Sequence, residues 1–195
     1  MATVTALRDR PRGRVVVELD GAPWRVLPVD AVVRAGLAVG RELDREAARR
    51  LGRELRRAKA LVVATRSLRA RDLSSRRLAE RLERAGAPPA ARREALAVLE
   101  QAGLVDDAGF ALKRAESLAA RGYGDAAIAA DLDRQGVPTD LRVRAVAGLD
   151  PESERAREVI LKRGEGAKTA RFLAARGFGE DAVEAALDAG FANSP

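Results

Sequence analysis

Two hydrophobic rhythms divide this chain. Between residues 14 and 27, apolar positions are contiguous or alternate. Val15-Val16-Val17-Glu18-Leu19 and Trp24-Arg25-Val26-Leu27 flank Asp20-Gly21, a dipeptide suited to a tight hairpin turn. Pro23 lacks a ladder donor and confines the second arm to a sheet edge. The stretch before the hairpin, residues 1–13, is polar, basic and broken by Pro11 and Gly13, and reads as a mobile leader. After it, Asp30 is placed to cap a short helix ending at Gly36, and residues 37–43 read as irregular around Gly40.

From residue 44 the rhythm becomes helical. Asp44 caps a long helix running to about Arg71, with Leu51, Leu55, Ala58 and Val62 on one face and Arg49, Arg53, Arg56, Arg57 and Lys59 elsewhere. Asp72-Leu73-Ser74-Ser75 breaks it, and one of the two serines caps the next helix. Glycines then stand at 86, 103, 122, 136, 164, 177 and 190, with Leu149-Asp150-Pro151 filling the long gap. Glycine adopts the left-handed backbone that ends a helix, so these positions read as successive C-caps.

The pieces between the glycines echo one another. Leu78 and Leu82 precede Gly86 as Ile128 and Leu132 precede Gly136; Thr169 and Leu173 hold those places before Gly177. Ala95, Ala145 and Ala186 follow the three glycines at a common distance, and Pro88 and Pro138 stand where the next helix begins. The expectation is a mainly α chain: tandem three-helix repeats in an elongated, curved array, with a small β-hairpin-containing module in front. The expected bounds are 1–43 for the leader and hairpin module, then 44–105, 106–149 and 150–195 for the three repeats.

Composition narrows the chemistry. The chain has no cysteine and no histidine, which removes disulfides, thiol nucleophiles, most zinc sites and the usual proton shuttle near neutral pH. No signal peptide and no long apolar run is evident, so a cytoplasmic, membrane-free protein is expected. Residues 1–100 hold 23 basic and 13 acidic side chains, whereas residues 101–195 hold 13 and 16. That asymmetry suits a polyanion or an acidic protein surface as partner.

Motifs for catalysis are weak. Gly164-Glu165-Gly166-Ala167-Lys168-Thr169 lacks the early glycine and lead-in strand of a phosphate loop, and reads as a helix joint with a capping Thr169. Asp106-Asp107 reads as an N-cap and an acidic first turn. Phe110, Tyr123, Phe172 and Phe178 stand near helix joints and read as inter-helix wedges. Trp24 beside Arg25 suits a contact surface. The basic residues Arg66, Arg69, Arg71, Arg76, Arg77, Arg81 and Arg84 surround one joint, as a salt-sensitive polyanion site requires.

One run of residues is more specific. Gly103-Leu104-Val105-Asp106-Asp107, Phe110-Ala111, Arg121, Gly122-Tyr123-Gly124, Ile128 and Leu132 resemble, in order and spacing, the central signature of the RecX family, regulators of the RecA recombinase. Arg163, Lys168, Phe172-Leu173 and Arg176-Gly177-Phe178 are similar to that family's C-terminal block. In the first repeat Asp72, Leu73 and Arg77 depart from the family's pattern. The resemblance implies tandem three-helix repeats and a non-enzymatic regulator without cofactor, metal or small-molecule substrate. It implies binding to the RecA nucleoprotein filament, and to single- and double-stranded DNA directly or through it. Inhibition of RecA's ATP hydrolysis, strand exchange and co-protease activity follows, with effects on DNA repair, recombination and the SOS response. A monomer is expected, and Arg121, Arg163, Lys168 and Arg176 join the seven arginines above on the RecA- or DNA-binding surface. The alternative is a helical-repeat nucleic-acid-binding protein acting independently of RecA.

Overall fold

A computed structural model describes residues 2–191 of the chain, and it is mainly helical with a small N-terminal strand module. Four strands open it: β1 (Ala2–Arg10), β2 (Arg14–Leu19), β3 (Ala22–Pro28) and, after helix α1 (Val29–Arg34), the short β4 (Glu42–Leu43). They form one sheet in the order β3-β2-β1-β4. Asp20 and Gly21 both take positive φ, +49° and +82°, giving the tight turn between β2 and β3. As Pro23 requires, β3 is an edge strand.

Two N-terminal expectations fail. Residues 2–10 are a strand, paired with β2 from Val4↔Leu19 to Arg10↔Arg14, and Val4 is fully buried. Within the stretch read as irregular, Glu42 and Leu43 pair with Thr3 and Ala2. Both segments gain their conformation from a partner strand, which local composition does not report. Asp30 lies in the first turn of α1, with Pro28 at the N-cap.

Two compact units follow from the packing. The first holds residues 1–71 and 78–104, the second 72–77 and 105–195. In the first, Val4, Val15, Val17, Leu27, Val32 and Leu37 pack against Ala47 and Leu51 of α2 (Arg45–Ala70). Asp44 caps α2 by accepting from the Ala47 N–H at 2.7 Å. The expected apolar face of α2 is rotated in its second half. Val62 is 69% exposed, while Ala60 and Ala64 are buried, and Arg57 is buried between Asp30 and Glu54, each at 3.5 Å. Helix α2 packs on α4 (Pro89–Gln101). Helix α3 (Ser75–Arg84) buries Leu78 and Leu82.

The second unit carries α5 (Asp107–Ala120), α6 (Asp125–Arg134), α7 (Thr139–Ala147), α8 (Glu152–Arg163), α9 (Ala167–Ala175) and α10 (Glu180–Phe191). Ala111, Ala115, Leu118, Ile128, Leu132, Val137 and Ala145 form one core, and Ala156, Ile160, Leu173, Phe178 and Ala186 another. The turns after α6 and α9 close on Gly136 (φ +76°) and Gly177 (φ +80°). Gly190 does not end a helix, since α10 runs through it to Phe191. Pro88 and Pro138 occupy N-caps, one position earlier than expected.

Candidate functional site

The joints of the second unit follow one rule. Asp106 caps α5 through the Ala108 N–H, as expected, but Asp107 does more than charge the first turn. Its carboxylate accepts from the Ser75 N–H at 2.7 Å and the Ser75 hydroxyl at 2.5 Å, capping the start of α3. Glu152, likewise the first residue of its helix, accepts from the Asp125 N–H at 2.6 Å, at the start of α6, and from the Gly179 N–H at 3.2 Å. A carboxylate at a helix start meets unpaired N–H groups and the positive end of the helix dipole.

The glycines complete these joints. Ser74 caps α3 by accepting from the Arg77 N–H, and its hydroxyl donates to the Gln135 carbonyl at the end of α6. Arg77 donates to the Arg134 carbonyl. Gly124 and Ala126, opening α6, donate to the Arg176 and Gly177 carbonyls at the end of α9, at 2.9 and 3.2 Å. A Cβ on Gly124 would strike that backbone, and one on Gly177 would lie 2.7 Å from the Ala127 Cβ. The second glycine of Gly122-Tyr123-Gly124 therefore answers to close backbone approach as well as to a turn.

This approach assembles a ladder of cations and rings. Arg121 ends α5, Tyr123 lies in the following turn, and Phe172 and Arg176 stand one turn apart on α9 and its C-cap, while Arg163 closes α8. The Arg121 guanidinium lies 5.5 Å from the centre of the Tyr123 ring, and Arg176 lies 4.5 Å from the same ring. Arg176 also lies 5.0 Å from Phe172, against which Arg163 stacks at 3.9 Å. The Arg176 guanidinium donates to the Arg121 carbonyl at 3.0 Å, fixing the middle rung. Among the described residues, none of these three guanidiniums has a carboxylate partner.

A guanidinium stacked on a ring keeps its in-plane N–H donors for carboxylate or phosphate. Arg155 makes the contrast. It lies 5.9 Å from the Phe178 ring, but its donors go to the Tyr123 and Asp150 carbonyls and to Asp125. It holds the fold, whereas in the ladder Arg121 and Arg163 are exposed and Arg176 is half-buried.

Of the residues expected on the binding surface, the structure brings together Arg121, Arg163 and Arg176. Lys168 is exposed in the first turn of α9. Arg66, Arg69 and Arg71 lie exposed towards the end of α2, and Arg81 and Arg84 are exposed on α3; all five belong to the first unit. Arg76 and Arg77 belong to the second, where Arg77 takes part in the α3–α6 joint. Tyr123 and Phe172, read from sequence as core wedges, are half-buried rungs. The four-residue step from Phe172 to Arg176 on one helix is the signal that identifies such a pair. Thr169 does not cap α9; its hydroxyl donates to the Gly164 carbonyl at 2.7 Å. Among the described residues no cluster of carboxylates could hold a metal ion, and no helix is long and apolar enough to cross a membrane.

No family model matches the chain. It is 36% identical over 133 residues to the regulatory protein RecX of Chromohalobacter salexigens, covering 64% of this chain and 88% of that one. It is 32% identical over 145 residues to the regulatory protein RecX of Deinococcus radiodurans, covering 69% and 70%. A crystal structure of regulatory protein RecX superimposes with TM-score 0.84, covering 96% of this chain and 100% of the other at 19% identity. RecX from Lactobacillus salivarius gives TM-score 0.62 over 68% of this chain and 95% of that one, at 14% identity. These two likenesses concern the fold.

Proposed function

This chain belongs to the RecX family of regulatory proteins, and from that premise we propose that it binds RecA nucleoprotein filaments and inhibits their activities. ATP hydrolysis, strand exchange and co-protease action fall, and recombination and the SOS response are modulated. It acts as a cytoplasmic monomer by occupying a surface, with no chemistry of its own. The helical part is read as three repeats, 44–105, 106–149 and 150–195.

The observation that carries the reading is the ladder Arg121–Tyr123–Arg176–Phe172–Arg163: three preorganised cations with no internal carboxylate partner among the described residues. Such a row suits phosphates of filament-bound DNA or carboxylates of a protein groove. Lys168 and the arginines at 66, 69, 71, 76, 81 and 84 add longer-range attraction.

The experiment is RecA ATPase on single-stranded DNA with sub-stoichiometric protein, beside co-pelleting with filaments. Inhibition by the native chain, lost on joint charge reversal of Arg121, Arg163 and Arg176 with an unchanged melting curve, is expected. Unchanged hydrolysis and no co-pelleting would refute the function; inhibition that survives the reversal would refute the site.

A further inference from the structure

We propose that the N-terminal sheet carries a second, separate site, which binds single-stranded nucleic acid directly through Trp24 and the arginines of the same sheet. The filament-binding role makes no use of this module. Its single tryptophan nevertheless sits in an unusual place.

β2 and β3 pair as Val17↔Arg25 and then Glu18↔Pro23, so Trp24 is the extra residue of a β-bulge on an edge strand. A bulge re-aims a side chain and interrupts pairing. The indole is 37% exposed, with the Arg25 guanidinium 5.2 Å from its ring centre, and Val26 beside it is 49% exposed. The Arg14 side chain reaches the Val26 carbonyl at 3.4 Å.

Charge and edge chemistry select the occupant. Of the module's exposed arginines, Arg10, Arg12, Arg14 and Arg25 have no carboxylate partner among the described residues, whereas Arg8 is paired to Glu18 at 2.6 Å. Asp20 is held by the Thr3 N–H. A protein strand adding to this edge would find no donor at Pro23 or Pro28 and a bulge between them, which is how edges resist such pairing. A single strand asks for no ladder. It needs a ring face for an unstacked base and cations for its phosphates: the bulge supplies Trp24 with Arg25, and Arg14 and Arg10, opposite each other at the far end of β2, continue the cationic track. A duplex has no free base face to offer Trp24.

The test uses the full-length chain without RecA, so that it stands or falls apart from the filament-binding role. Trp24 emission is followed while oligo-dT is added at several salt concentrations, and binding by the Trp24 variants is read by anisotropy of labelled oligo-dT. Saturable quenching by oligo-dT is expected, with little from duplex DNA or poly-glutamate. Trp24→Leu should weaken oligo-dT binding by roughly five- to a hundred-fold, and Trp24→Phe should restore most of it. Arg10→Gln with Arg12→Gln should reduce the slope of log affinity against log salt by about 0.7 for each phosphate no longer neutralised. Matching melting curves show that the variants are folded. No quenching, equal quenching by duplex DNA or poly-glutamate, or Leu and Phe variants binding like the native chain would overturn the proposal.

Discussion

Glu152→Ala is the substitution that most directly tests how the second unit is joined. Its two oxygens take the Asp125 N–H at 2.6 Å, in a partly buried setting, and the exposed Gly179 N–H at 3.2 Å. Both donors open helices and have no intrahelical partner. A charge-assisted bond in the first setting contributes about 1.5–2 kcal/mol, and the longer exposed one about 0.5. The sum, about 2–2.5 kcal/mol, corresponds to a melting-temperature loss of about 4–10 °C for a chain of this size. The control is Glu154→Ala: Glu154 lies in the same first turn and is exposed, and its removal should change stability by less than about 0.5 kcal/mol. Glu152→Gln, which keeps an acceptor but loses the charge, should fall between them. Urea titrations followed by circular dichroism at about 222 nm, the helical band, give all three values. If Glu152→Ala and Glu154→Ala are alike, the carboxylate does not join these helices and the shared role assigned to Asp107 fails with it.

Three further outcomes follow from the geometry. Gly177→Ala should destabilise the chain by at least about 1 kcal/mol more than Gly86→Ala; both take positive φ, +80° and +75°, but a Cβ at 177 meets Ala127 and one at 86 meets open space. Thermal melts of the two variants decide it. The Arg114 guanidinium, bonded to Asp131 at 2.6 Å, holds that carboxyl below its ordinary value of 3.8. A depressed folded pKa adds stability above the ordinary value that is lost as pH falls through the folded one. The gap between native chain and Asp131→Asn, about 1 kcal/mol or less because Arg114 is partly exposed, should therefore be full at about pH 6 and close on acidification below about pH 4. Denaturant midpoints across pH show whether it closes. Finally, Leu132→Ala should lose about 2–5 kcal/mol because Leu132 is fully buried, whereas Val62→Ala on the exposed face of α2 should lose under about 0.5. Equal losses would return the apolar face of α2 to the one its sequence suggests.

The helix series was legible because each end has a local cause. Gly86, Gly136 and Gly177 do take the left-handed backbone their spacing suggests, and Leu78, Leu82, Ile128, Leu132 and Leu173 are buried as the echo implies. What escaped has non-local causes. β1 carries Arg8, Asp9 and Arg10, and it exists because β2 lies beside it. The buried face of α2 turns midway, from Ala47 and Leu51 to Ala60 and Ala64, and alanines mark its second half too weakly for periodicity to detect. Asp107 read as an ordinary first-turn acid and Glu152 drew no reading at all, since the N–H groups they meet come from elsewhere in the chain.

The same joints explain why net charge misdirects attention to the front half. Residues 101–195 carry more acids than bases, yet many of their carboxylates are engaged within the fold. Asp107 and Glu152 cap helices, Asp125 holds Arg155, Asp131 holds Arg114 and Arg134, and Asp133 holds Arg142. Each neutralised pair contributes little field at a distance, whereas an unpaired guanidinium on a ring presents its full charge. A segment of negative total charge can therefore display a cationic strip at Arg121, Arg163 and Arg176. Its placement depends on backbone bonds from Gly124 and Ala126 to the end of α9, so the strip is as rigid as the joint beneath it. Substitutions that loosen that joint should weaken the strip's binding even with every arginine intact, since preorganisation is lost before charge is.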